Sequence, residues 1–176
     1  MVHGWALTEA GETQTGLAEL RRGLPAWRAT GAALYEPYFL SLQAEAHSRA
    51  GSVKEGLDLV RQALSRVEET GERLLEAELH RMAGELMLRL PKADVAGAEA
   101  GLSRAVSVAR QQGAKMWEVR AAVALARLWI EQDRRNEARQ LLTPLCDNCT
   151  AGFEAPDLQI AQAILRESTS STDRPS

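Results

Sequence analysis

Apolar residues recur along this chain at spacings of three and four, in blocks of about fifteen residues separated by short polar turns. In Lys115–Gln132, for instance, Val119, Ala122, Val123, Ala126, Trp129 and Ile130 fall on one continuous stripe, the pattern of an amphipathic helix with one face against a core. Leu34–Ala50 and Arg73–Leu90 carry the same spacing. The punctuation agrees with it. Thr30-Gly31, Thr70-Gly71 and Gln112-Gly113 place glycine where a helix ends in the left-handed conformation. Gly11, Gly51 and Asp133 open short turns, Pro37 suits a first helical turn, and Pro91 breaks the chain after Leu90. The pattern predicts helices near 3–10, 13–29, 35–50, 53–69, 73–90, 95–112, 116–132 and 135–149, and a last one from Pro156 to Glu167. Ser168–Ser176, rich in Ser and Thr, reads as a disordered tail.

The blocks are copies of one another. Gly11-Glu-Thr-Gln-Thr-Gly-Leu17 returns 40 residues later as Gly51-Ser-Val-Lys-Glu-Gly-Leu57, and Thr30-Gly31 returns as Thr70-Gly71. Gly113 follows Gly71 by 42, so two residues are inserted near Pro91-Lys92. Small residues recur in pairs: Gly4 with Gly16, Ala44 with Gly56, Gly84 with Ala98, and Ala126 with Ala138. Small residues on both partners let two helices cross closely. A fixed period of this length belongs to a solenoid of helical hairpins, each shielding its neighbour's apolar face. The fold expected is therefore all-α, a right-handed superhelix of about four hairpins. Residues 1–167 form a single repeat domain, with the first repeat entered halfway.

Composition narrows the function more than it identifies it. The 176 residues are 45% hydrophobic and 5% aromatic, with a net charge of −3. Such a chain builds a real core. Charges of both signs are interleaved and the pI is about 5.7, which argues against direct nucleic-acid binding. No apolar run is long enough to cross a membrane and no secretory leader is visible, so neither a membrane partner nor export is expected and the location expected is cytoplasmic.

The paired small residues, each followed by a large apolar residue, resemble the tetratricopeptide repeat, a helix–turn–helix unit of 34 residues; the sets here are Ala44/Gly56/Val60, Gly84/Ala98/Leu102 and Ala126/Ala138/Leu142. The period of 40 to 42 implies longer helices. Phrases such as Ala26-Trp-Arg-Ala-Thr-Gly31, Ala77-Glu-Leu-His-Arg81 and Phe153-Glu-Ala-Pro-Asp-Leu158 further resemble the C-terminal repeat region of bacterial multidomain ATPase regulators. Those proteins join an ATPase module of the STAND type to an adenylate/guanylate cyclase domain or to a DNA-binding activator domain of the LuxR type. The resemblance covers about residues 3 to 166. It implies a role in protein–protein or interdomain contacts, with an upstream ATPase or cyclase module as a candidate partner. The phosphate-binding loop of such an ATPase, Gly-x-x-x-x-Gly-Lys-Ser/Thr, does not occur in this chain.

Candidate chemistry is thin. Cys146 and Cys149 form a Cys-x-x-Cys, but no second ligand pair accompanies them and no strand precedes them, so a zinc site and a redox site are both disfavoured. By repeat alignment both fall on the buried stripe and read as core thiols. His3, His47 and His80 have no ligand spacing and no nucleophile beside them. Trp5, Trp27 and Trp129 sit at stripe positions and read as core; Trp117 lies near a helix start. No catalytic residue, metal or cofactor is expected.

The resemblance points instead to a groove lined by the first helix of each unit. Carried over position by position, its lining is Tyr38, Glu45 and Arg49 with Ser41 and Leu42, then Glu78, Arg81, Glu85 and Arg89 with Met82, then Arg120, Arg127 and Glu131 with Val123. The Lys/Asn set that some repeat domains use to hold a peptide's terminal carboxylates is absent. Two functions follow: a non-enzymatic scaffold that docks a protein or peptide, or a sensor that holds an anionic metabolite on Arg81, Arg120 and Arg127. Exposed solenoid ends add an expectation of self-association.

Overall fold

The computed structural model describes residues 1–32, 34–147 and 156–170. Among them it contains nine helices and no strand: α1 (Val2–Glu9), α2 (Thr13–Ala29), α3 (Glu36–Arg49), α4 (Val53–Thr70), α5 (Glu76–Leu88), α6 (Val95–Gln111), α7 (Lys115–Glu131), α8 (Arg135–Asp147) and α9 (Pro156–Ser170). Each begins within three residues of the start read from the pattern. Ser168–Ser170 continue α9 rather than beginning a tail; residues 171–176, the rest of that expected tail, lie outside the described residues.

Consecutive helices pack into hairpins, and the hairpins stack in sequence order. This is an all-α solenoid. The crossings are where the small residues were expected. A Cβ on Gly56 would stand 2.9 Å from the carbonyl oxygen of Ala44, and one on Gly4 would stand 2.8 Å from that of Gly16. A Cβ on Gly84 would meet Leu102 Cγ at 2.7 Å and the Ala98 carbonyl oxygen at 3.0 Å. Ala126 and Ala138 are fully buried. Where the backbones come this close, nothing larger than glycine or alanine fits between them. The large residue one turn on (Leu20, Val60, Leu102, Leu142) is 0% exposed at all four crossings.

The turns inside the hairpins share one device. The N–H of Glu12, Ser52 and Arg134 donates to the carbonyl of Leu7, His47 and Trp129 at 2.9, 2.9 and 2.8 Å. This six-to-one bond needs a left-handed residue just before it; Gly11, Gly51 and Asp133 supply it with φ of 91°, 81° and 61°. Gly51 has nothing within 4 Å of where a Cβ would be. Gly51→Ala should therefore cost about 1 kcal/mol through backbone strain alone, read as a lower urea midpoint with an unchanged slope. The α5–α6 connection is longer, Arg89 to Asp94, and holds the two-residue insertion. Asp94 caps α6 by accepting from Gly97 N at 2.9 Å.

Among the described residues the odd-numbered helices pack on one another across units (α1 with α3, α5 with α7, α7 with α9), whereas no two of α2, α4, α6 and α8 pack together to that extent. The odd layer thus lies inside the curve of the solenoid. Cys146 is half-buried at the margin of the core rather than within it; Cys149 lies outside the described residues. Trp5, Trp27, Trp117 and Trp129 are likewise packed against the core but only partly covered. No helix among the described residues is long and apolar enough to cross a membrane.

Candidate functional site

The inner layer carries a groove of about 600 Å³ running from α3 across α5 and α7 to α9. Its floor is apolar where Leu88, Val123, Ala124, Leu128 and Ile160 meet. Its walls are charged. Arg49, Arg81, Arg89, Arg120 and Arg127 face Glu45, Glu78, Glu85, Glu131 and Asp157, so among the described residues the lining carries no net charge.

Most of these charges hold one another. Arg81 is the hub: its Nε and Nη2 donate to both oxygens of Glu78 at 2.9 and 2.7 Å, and its Nη1 lies 2.6 Å from Glu85. Burial opposes the charge on this guanidinium, but the bonds to Glu78 and Glu85 outweigh it and hold the group above its ordinary pKa. Arg120 donates to Asp157 at 2.9 Å and lies 3.7 Å from Glu78, tying α7 to α9 and α5. Arg49 bridges Glu45 and Glu9, and Glu45 also accepts the indole N–H of Trp5 at 2.9 Å. Arg89 reaches back to the Ser48 carbonyl at 3.0 Å, binding α5 to α3. Arg127 is different. It is exposed and, among the described residues, has neither a hydrogen bond nor an ion pair.

Of the residues expected in the groove, Glu45, Arg49, Glu78, Arg81, Glu85, Arg120 and Arg127 line it together. Tyr38 does not. It borders an apolar cleft at the N-terminal edge of the odd helices. Ser41 and Leu42 are buried. The reason is the first hairpin: α1 packs on α3, and Trp5 of α1 with Leu17 of α2 covers this part of its inner face. Among the described residues no three His, Cys, Asp or Glu side chains are placed to hold a metal. His47 is 7% exposed and its Nδ1 has no partner; burial and the charge of Arg21 press its pKa down. His80 is half-buried, and its pKa is lowered by burial as well.

Sequence reasoning missed a second repeated device. Glu36, Glu76 and Glu118 lie in the first turn of α3, α5 and α7 and are 5%, 3% and 2% exposed. Each carboxylate receives two cations, at least one of them from a neighbouring helix. Glu36 accepts from Arg28 at 2.8 Å and Arg66 at 3.0 Å. Glu76 accepts from Arg73 at 2.9 Å and Arg104 at 3.5 Å. Glu118 accepts from Arg110 at 2.8 Å and Lys115 at 3.1 Å. An anion in the first turn also suits the helix dipole. The signal was available: the three glutamates recur at 40 and 42, in register with the small residues.

No family model matches the chain. Over 127 residues, 72% of its length, it is 34% identical to an uncharacterized protein of Rhizobium meliloti (strain 1021). The matched part of that relative is 12% of its length, so the chain corresponds to a small piece of a much longer protein.

Proposed function

We propose that this chain is a non-enzymatic docking scaffold whose inner groove receives a protein or peptide segment, in a bacterial signalling or transcription regulator of the kind its repeat phrases resemble. The observation that carries the reading is the groove itself: one surface assembled from four helices of successive units, with an apolar floor between charged walls. An extended partner can touch several units at once there, which is how solenoids use their inner faces. The similarity to a short part of a much longer protein supports the same reading, since a scaffold segment works beside other domains. An ATPase or cyclase module, or a segment of one, is the partner proposed, and docking would act by biasing an on/off equilibrium.

A sensor for an anionic metabolite is the weaker reading. It needs Arg81, Arg120 and Arg127 together, and the first two are already held by Glu78, Glu85 and Asp157. Only Arg127 is uncommitted among them.

The test places a photo-crosslinking amino acid at Arg127 on α7 and, separately, at the exposed Arg139 on the outer helix α8. A discrete crosslinked product from position 127 and none from 139 is the expected result. Equal products, or none from either, would count against groove docking. With the photo-crosslinking residue moved to Ala124, which lines the same groove, Arg127→Glu should remove the product and leave the melting temperature unchanged, because no internal contact is lost. Arg120→Glu should lower both, because it also releases α9.

A further inference from the structure

A second site lies away from the groove. The cleft that contains Tyr38 encloses about 450 Å³ at the N-terminal edge of α3, α5 and α7, within the range of small-ligand sites. It gathers both tyrosines of the chain (Tyr35 and Tyr38), one of its two phenylalanines (Phe39) and one of its four tryptophans (Trp117). Its walls are almost wholly carbon, and among the described residues Glu72 is its single charged one.

Two further observations set this cleft apart from an ordinary apolar patch. Tyr35 has φ of 71°, a conformation in which glycine or asparagine is at ease and tyrosine is strained. It is held there by its N–H, which donates to both oxygens of Glu72 at 3.0 and 2.9 Å. In this conformation the ring stands half-exposed at the cleft's mouth. The same latch brings the only carboxylate of the lining to the rim.

We infer that this cleft binds a small quaternary ammonium cation. The walls have almost no group to donate or accept a hydrogen bond, so a carboxylate entering it would lose its water without replacement, and a primary ammonium paired with Glu72 would leave others of its three donors unmet. A methylated ammonium has no hydrogen bond to lose. Aromatic rings attract such a cation through their quadrupoles, and Glu72 adds charge of the matching sign. The competing occupant is a neutral molecule of the same shape, which would use the apolar walls alone.

Choline and its uncharged isostere 3,3-dimethylbutan-1-ol separate the two. Each is titrated into the full ¹⁵N-labelled chain at constant ionic strength, following the Trp117 indole and Tyr35 amide resonances. The expected result is saturable binding of choline at least about fivefold tighter than the isostere, the factor one ring–cation contact supplies. Trp117→Leu and Glu72→Gln should each reduce that preference and leave isostere binding nearly unchanged. Both positions are outside the buried core, and circular dichroism checks that each variant is folded. No saturation by choline, equal affinity for the two ligands, or a preference that survives both substitutions would each overturn the inference.

Discussion

Gly84→Val should destabilise the chain by more than about 3 kcal/mol, enough to lower its melting temperature by roughly 10 °C. The cause is specific. At this crossing α5 and α6 are in contact through the Gly84 Cα face, and a Cβ alone would come within 3.0 Å of the Ala98 carbonyl oxygen and 2.7 Å of Leu102 Cγ. Neither can step aside: one is backbone, and the other belongs to a leucine that is fully buried in the core. Valine adds two more carbons, so the hairpin must open. Gly101, on the opposing helix, is the matched control. A Cβ there would lie 3.4 to 3.6 Å from its nearest neighbours, ordinary contact distance. Gly101→Ala should therefore be neutral or stabilising by up to about 1 kcal/mol, from helix propensity. Urea unfolding of the two variants beside the parent decides it. If Gly84→Val unfolds no earlier than Gly101→Ala, the crossing is not where the chain is tightest.

Glu118→Ala is expected to cost about 2 kcal/mol at neutral pH. The carboxylate is 2% exposed and holds Arg110 of α6 against the start of α7. Its partners keep their own access to water, since Arg110 and Lys115 are 58% and 71% exposed, so removing the anion strands no buried cation. That keeps the loss below what a fully enclosed pair would show. The effect carries a pH signature. Burial pushes the Glu118 carboxyl up, but the hydrogen bonds from Arg110 and Lys115 more than offset this and hold it below the usual carboxylate range. A carboxyl depressed in the folded state stabilises the fold above its unfolded pKa of about 4.3, and the contribution is lost as pH falls through the lower, folded value. Glu118→Gln should thus be less stable than the parent at pH 7, and the deficit should shrink as the pH is taken down to 3. An equal deficit at both would mean that shape, not charge, is what the site requires.

How much of this was legible in the residues depends on what kind of signal each feature leaves. Helix positions and crossings were legible because periodicity and small size are written directly in residue identity; Ala44, Gly84 and Ala126 could be placed against Gly56, Ala98 and Ala138 by spacing alone. Most of the groove was legible by the same register. Tyr38, Ser41 and Leu42 misled because their exposure depends on α1, an element that contributes only Val2–Glu9 yet lies directly on α3. Cys146 misled more mildly: its repeat equivalents differ in exposure themselves, Val106 being buried and Leu64 half-buried. The state of each groove arginine was not legible at all. Arg81, Arg120 and Arg127 look alike in sequence, and only side-chain geometry separates the bound pair from the uncommitted one. The glutamates at 36, 76 and 118 were in plain view, but a charged residue at a helix start is read as solvent-facing unless its period is noticed.

The packing of odd helices on odd, and the lack of it among the even ones, gives the molecule the mechanics of a leaf spring. One layer is joined at three of its four steps while the other is a row of more loosely joined leaves, so curvature can change by parting or closing the outer leaves without breaking a hairpin. Tension between the two ends would be taken up as a gradual straightening, shared over every hairpin, and the span between distant groups on the inner side would widen with it.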